Sequence, residues 1–273
     1  MIVLANCKIN IGLDVIERRA DGFHELSTVM FPVKGLYDTL HFELADQDGV
    51  EFVGEGLSID CSPKDNLCVK AYNLMRENYP QVGGLKITLD KQIPFGAGLG
   101  GGSADATAVI VAINRLFELG LGEDRLIELA ARLGSDTAFF VRNTPQLCSG
   151  RGEVMTPIDI DLSGKFLLLI KPDVNISTRQ AYSGVKPAQP AVPLAELIQR
   201  PVEQWQGCIK NDFEEHIFRA HSLLDQIKTE ILNAGALYAA MSGSGSTIFG
   251  IFDCEQKAKS EQLESHSPYI FTL

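Results

Sequence analysis

Pro94-Phe95-Gly96-Ala97-Gly98-Leu99-Gly100-Gly101-Gly102-Ser103 carries five glycines in seven positions and runs directly into an apolar-periodic segment. Dense glycine lets the backbone approach a ligand closely and turn its N–H groups inward. A helix starting at Ala104 would add aligned N–H dipoles, a combination suited to a di- or triphosphate. Ser103 could cap that helix or offer its hydroxyl to phosphate. A strand-to-helix turn with no ligand would need fewer glycines. The loop is not a Walker A motif, because no G-K-[ST] follows the glycines. Gly96, Gly98 and Gly101 do match G-x-G-x-x-G. Yet Asp90, Lys91, Gln92 and Pro94 separate the strand Leu85–Leu89 from the first glycine, where a dinucleotide fold wants direct entry. The acid about 20 residues on, Glu118, ends a helix and not a second strand.

Two further residues could take part in chemistry. Lys8 and Asn10 alternate with Ile9, Ile11 and Leu13, so they share one face of a strand expected to be half buried. An exposed strand lysine is the plain reading of Lys8. Asp136 follows a helix closed by Gly134 and precedes Thr137 to Val141. By residue type it is either a helix N-cap or a carboxylate able to take a proton, and both readings stand. A second glycine-rich turn, Met241-Ser242-Gly243-Ser244-Gly245-Ser246, lies just before a strand.

The elements that must position these groups follow from periodicity. Leu40, Phe42 and Leu44, then Leu85, Ile87 and Leu89, alternate as strands do. Asn66 to Asn78 reads as a helix. Ala104 to Leu119 is a stronger one, with Ala108, Val109, Ala112, Ile113, Leu116 and Phe117 at helical spacing and Gly120 at its end. Asp124 to Leu133 is a third. Gly150 to Gly164 loses periodicity and is a candidate boundary. Beyond it come the buried strand Phe166 to Ile170, a proline-rich loop at Lys186 to Pro193, helices near Asp212 to Ala220 and Leu223 to Asn233, and the strand Thr247 to Phe252. The expected architecture is α+β with two domains, 1–155 and 156–273.

The 273 residues carry a formal net charge of −11. That excludes broad nucleic-acid binding, which depends on many Lys and Arg contacts. No apolar run approaches the roughly 20 residues of a membrane span, and Met1 to Leu13 lacks the layout of a signal peptide. Six cysteines without C-x-x-C spacing read as reduced thiols, hence a cytoplasmic chain. No cluster of Asp, Glu or His suggests an all-protein metal cage.

Three ordered segments resemble the galactose, homoserine, mevalonate and phosphomevalonate (GHMP) kinases: Lys8-Ile9-Asn10, Pro94 to Ser103, and Met241 to Ser246. Arg19 to Leu26 (RADGFHEL), Lys64-Asp65-Asn66-Leu67, Leu133-Gly134-Ser135-Asp136, Asn211-Asp212-Phe213-Glu214 and the triple glycine before Ser103 are similar to the branch acting on 4-diphosphocytidyl-2-C-methyl-D-erythritol. The resemblance implies a two-domain fold with a deep cleft, ATP and Mg²⁺ as cofactors, and a cytidine diphosphate-linked methylerythritol as the small-molecule partner. Neither nucleic acid nor membrane is expected as a partner, and the oligomeric state would be monomer or weak dimer. A sister kinase of homoserine or mevalonate type, or a catalytically silent ligand-binding protein on the same fold, are the alternatives.

The resemblance also assigns roles. Asp136 would act as base or orienting carboxylate for the attacking hydroxyl, with Lys8 as the cation beside it. Pro94, Gly96, Gly98, Gly100, Gly101, Gly102 and Ser103 would hold the triphosphate, with Asn66 and Lys91 near the adenine. Asn10, Phe23, His24, Asp136, Tyr182, Gly243 and Ser244 would face the substrate. Phe23 stands where Tyr is usual and keeps only the stacking face. Thr137-Ala138 replace the usual Val-Pro, and Ala104 replaces a second Ser.

Overall fold

The computed structural model describes residues 1–58 and 61–273. β1 (Ile2–Arg18) and β2 (His24–Leu44) are much longer than the alternation around Lys8 and Leu40 predicts. Both pass through two compact units. One holds residues 1–8, 32–95 and 100–144; the other holds 9–31, 96–99 and 145–273. The units are thus interleaved along the chain, and the 1–155 stretch expected to form one domain contributes to both.

In the first unit, β4 (Leu85–Lys91) pairs antiparallel with the second half of β2, from Thr39 opposite Asp90 to Leu44 opposite Leu85. β3 (Val50–Gly56) adds in parallel to the other side of β4. Of the alternating residues, Leu40, Phe42, Leu85, Ile87 and Leu89 are buried, whereas Leu44 at the end of β2 is exposed. Among the described residues, four α-helices belong to this unit: α1 (Leu67–Asn78), α2 (Gly101–Leu116), α3 (Glu123–Ala131) and α4 (Phe139–Arg142). Asn66 starts α1 as its N-cap, its side chain accepting from Cys68 N. α2 stops at Leu116, short of the expected Gly120: Glu118 takes the left-handed φ of +50° and Leu119 N donates to Asn114 O at 3.0 Å, so Gly120 lies beyond the helix end.

In the second unit, the first half of β2 pairs with β5 (Gln146–Ser149), and β5 with β6 (Val154–Pro157), all antiparallel. A separate four-stranded sheet is built from β7 (Phe166–Ile170), β8 (Tyr238–Met241), β9 (Ile248–Phe252) and β10 (Tyr269–Thr272), in the order β10-β7-β9-β8. β7 reads as a continuous apolar run because both of its faces are covered. Between them in sequence lie α5 (Thr178–Ser183), α6 (Leu194–Leu197), α7 (Glu214–Ala220) and α8 (Ser222–Asn233). Ile217 of α7 and Leu224, Ile227 and Ile231 of α8 close a core with Leu168, Ile170, Ile248 and Phe252. Each such side chain contributes about 1.5–3 kcal/mol by leaving water.

Asp14 in this unit makes a pH prediction. It is 7% exposed, and burial followed by the charge of Asp212 pushes its carboxyl up to about 6. A carboxyl raised on folding contributes stability below its unfolded value, and that stability is lost as pH rises through about 6. Asp14→Asn is therefore expected to raise Tm at pH 7.5, with the gain shrinking as pH falls towards 4.5. A Tm difference that is flat across a pH series would contradict this.

Candidate active site

β1 is buried without interruption from Ala5 to Val15, not on one face only. Lys8 can lie there, 3% exposed, because its Nζ stands 3.1 Å from Asp136 Oδ2. The Asp136 side chain keeps 31% of its surface open, so the acid is the member of the pair that a ligand can reach. α4 begins at Phe139 with Ala138 as its N-cap, so Asp136 does not cap it. The turn carrying Asp136 closes through Thr137 N donating to Gly134 O at 3.3 Å and Phe140 N donating to Thr137 O at 3.2 Å.

The glycine loop gains its shape from alternate positive φ: +63° at Gly96, +77° at Gly98 and +70° at Gly100. Alternation of this kind turns successive N–H groups to one side, the geometry of an anion nest. α2 starts at Gly101, three residues earlier than the apolar period predicts, because the triple glycine itself supplies the N-cap and first turn. Its first N–H groups are those without intrahelical partners. A Cβ on Gly100 would stand 3.0 Å from Lys8 Cε and 3.1 Å from Phe140 Cζ. The Lys8 stem thus packs directly against the start of the phosphate-suited helix.

Beside that helix start lies a mostly apolar cavity of about 150 Å³, lined among others by Asn66, Leu67, Cys68, Leu89, Phe95 and Gly102. Its size admits about one aromatic ring system. Asn66 and Lys91 both border it. Asn66 Oδ1 is already engaged in capping α1, at 2.8 Å from Cys68 N. Lys91 is 2% exposed, and its ammonium is held between Asp38 and Asp105, the latter at 2.8 Å. Burial alone would lower the Lys91 ammonium, but the two carboxylates raise it. Its charge is matched inside the unit.

In the second unit, Asn10 N donates to Ser242 Oγ at 3.1 Å and Asn10 Nδ2 to Thr28 Oγ1 at 3.0 Å. Ser242 Oγ donates in turn to Gly98 O at 2.9 Å. Asn211 Nδ2 donates to Gly243 O, and Ser244 is half-buried. His24 stacks on Tyr182 at 4.9 Å and 19°, while Phe213 meets Tyr182 edge-on at 4.8 Å. Phe23 is exposed, with the Arg151 guanidinium 4.8 Å above its ring. His24 and Tyr182 therefore form one aromatic group, from which Phe23 stands apart on Arg151. Asp38, Asp105 and Thr107, all buried around the first unit's site, were not evident as site residues from local motifs.

Residues 66–144 match the GHMP kinases N terminal domain, and residues 194–266 match the GHMP kinases C terminal domain. The chain belongs to the GHMP kinases. This GHMP kinase is 45% identical over 267 residues to a 4-diphosphocytidyl-2-C-methyl-D-erythritol kinase of Bacteroides fragilis, covering 97% of each chain. It is 44% identical over 257 residues to one from Bacteroides thetaiotaomicron, covering 93% of each. A crystal structure of 4-(cytidine 5'-diphospho)-2C-methyl-D-erythritol kinase superposes with a TM-score of 0.82 at 30% identity, over 99% of this chain and 98% of that one. Membership makes the chain an ATP-using phosphotransferase with the family's α+β fold. Among the described residues, no helix is long and apolar enough to cross a membrane.

Proposed function

We propose that this kinase transfers the γ-phosphoryl group of ATP to the 2-hydroxyl of 4-diphosphocytidyl-2-C-methyl-D-erythritol, in the cytoplasm, within the methylerythritol phosphate route to isoprenoids. One observation carries the choice of substrate: near-full-length identity of 45% to a kinase of that compound. The Lys8–Asp136 pair beside the start of α2 suits the chemistry. Phosphoryl transfer needs mostly positioning and electrostatic stabilisation.

In this reading, Asp136 accepts a hydrogen bond from the 2-hydroxyl and receives its proton as the oxygen attacks phosphorus. Lys8 steadies that carboxylate and offers positive charge toward the transferring group. The N–H groups of Gly96 to Ser103 hold the triphosphate, and the apolar cavity by Asn66 takes the adenine. His24 and Tyr182 present the edge and face on which the cytosine is read, with Phe23, Asn10, Gly243 and Ser244 around it. Among the described residues no group of three His, Cys, Asp or Glu is placed to hold a metal. A Mg²⁺ would then be held chiefly by phosphate oxygens and water. Bound there, the ion would neutralise charge on the β- and γ-phosphates.

The test is ADP release with the cytidine-linked compound, homoserine and mevalonate supplied in parallel. Turnover is expected on the first alone. Turnover on homoserine or mevalonate alone would overturn the substrate assignment, and none on any of the three would favour a silent binding protein.

A further inference from the structure

Thr107 lies on α2, 2% exposed. A threonine inside a helix ordinarily returns its hydroxyl to the carbonyl four residues back. Here that carbonyl, Ser103 O, is 3.0 Å from Thr107 Oγ1, but Thr137 O is closer, at 2.7 Å. A hydroxyl has one proton to donate, and the shorter contact belongs to the chain segment outside the helix. Thr137 O, with two lone pairs, also accepts from Phe140 N at 3.2 Å. Thr137 itself is fully buried, and its own Oγ1 has no hydrogen-bond partner in the protein. The turn is therefore anchored to α2 through its backbone, by Thr107, and not through its own hydroxyl.

The residue preceding this anchored position is Asp136. Asp136 reaches Lys8, and the Lys8 stem packs against Gly100 at the start of the same helix. Two links thus join α2 to the carboxylate's segment, one at the helix start through Lys8 and one from the next turn through Thr107. We propose that Thr107 is a positioning residue for phosphoryl transfer: its hydroxyl, bonded to the Thr137 carbonyl, sets where the Asp136 carboxylate stands relative to the phosphate-holding end of α2. The inference rests on the reading of Asp136 as the group that meets the acceptor hydroxyl. A carboxylate displaced along its turn would still leave the nucleotide's own contacts in place. The effect should appear in the chemical step and not in ATP binding.

Thr107→Val keeps the side-chain shape and removes the hydroxyl; Thr107→Ser keeps the hydroxyl. In ADP-release assays with the cytidine-linked substrate, Thr107→Val is expected to lower kcat about tenfold while KM for ATP stays within about twofold. Thr107→Ser is expected to stay within about twofold of the parent kcat. Tm is recorded for each, and Thr107→Ala replaces Thr107→Val if the latter does not fold. A lowered Tm with unchanged kcat, or equal losses in the Val and Ser variants, would overturn the proposal. No turnover by the unmodified chain sinks the functional reading and its dependent inference together. Turnover by the unmodified chain with kcat preserved in Thr107→Val sinks the Thr107 role alone.

Discussion

Asp136→Asn is expected to lower kcat by about 10²–10⁴, the usual contribution of a positioned proton acceptor. The amide has nearly the same shape, and its oxygen can still accept from Lys8 Nζ, now 3.1 Å from Asp136 Oδ2. What it cannot do is take the proton released as the hydroxyl oxygen attacks. The nest of Gly96, Gly98 and Gly100 and the cavity beside α2 are untouched, so KM for ATP should hardly move. Some stability should be lost too, because Lys8 is only 3% exposed and would face a neutral partner. Steady-state ADP release with ATP and acceptor varied separately decides the matter. Turnover undiminished in Asp136→Asn would mean that the carboxylate does not take the proton.

Much of this arrangement was legible in the sequence, and the exceptions have physical causes. The alternation in β2 and β4 and the helical period of α2 predicted the elements that carry the site. They failed at the start of α2, because glycines have no apolar side chain to register a period, so a turn made of them is invisible to hydrophobic spacing. The half-buried reading of β1 failed for a related reason. Alternation of Lys8 and Asn10 with isoleucines looks like a wet face, but both polar residues are buried and partnered from distant chain: Lys8 by Asp136, Asn10 by Ser242 and Thr28. Asp136 and Ser242 come from far along the chain and Thr28 from the next strand, so none leaves a trace in the local spacing. One signal did lie open. Asp38 sits in register with Leu36, Leu40 and Phe42, Lys91 with Leu85, Ile87 and Leu89, and Asp105 with Val109 and Ala112. Each is a charge in the apolar register of its element, a pattern better read as a buried ion cluster than as a nucleotide contact.

Lys91→Met is expected to cost about 3–5 kcal/mol of unfolding free energy, the usual penalty for stripping a buried charge cluster of one partner. The register that sets Thr39 against Asp90 places Asp38 opposite Lys91, and α2 brings Asp105 to the same ammonium. Exposures of 0% for Asp38 and 2% for Asp105 leave the carboxylates no water to fall back on. Asp38 Oδ1 also accepts from Gln92 N at 2.6 Å and Ile93 N at 2.8 Å, so the cluster holds the chain leading into the glycine loop. Burial and then the neighbouring Asp38 raise the Asp105 carboxyl against the pull of Lys91. Without the ammonium it should rise further. The sign follows: stability tied to a raised carboxyl is present at low pH and lost as pH rises through the folded value. The Lys91→Met deficit should therefore be larger at pH 8 than at pH 5.5, and adding Asp105→Asn should restore part of it at pH 8. Urea unfolding of the three proteins at both pH values measures this. Parental stability in Lys91→Met combined with a raised KM for ATP would instead make Lys91 a nucleotide contact, the role its position in the motif first suggested.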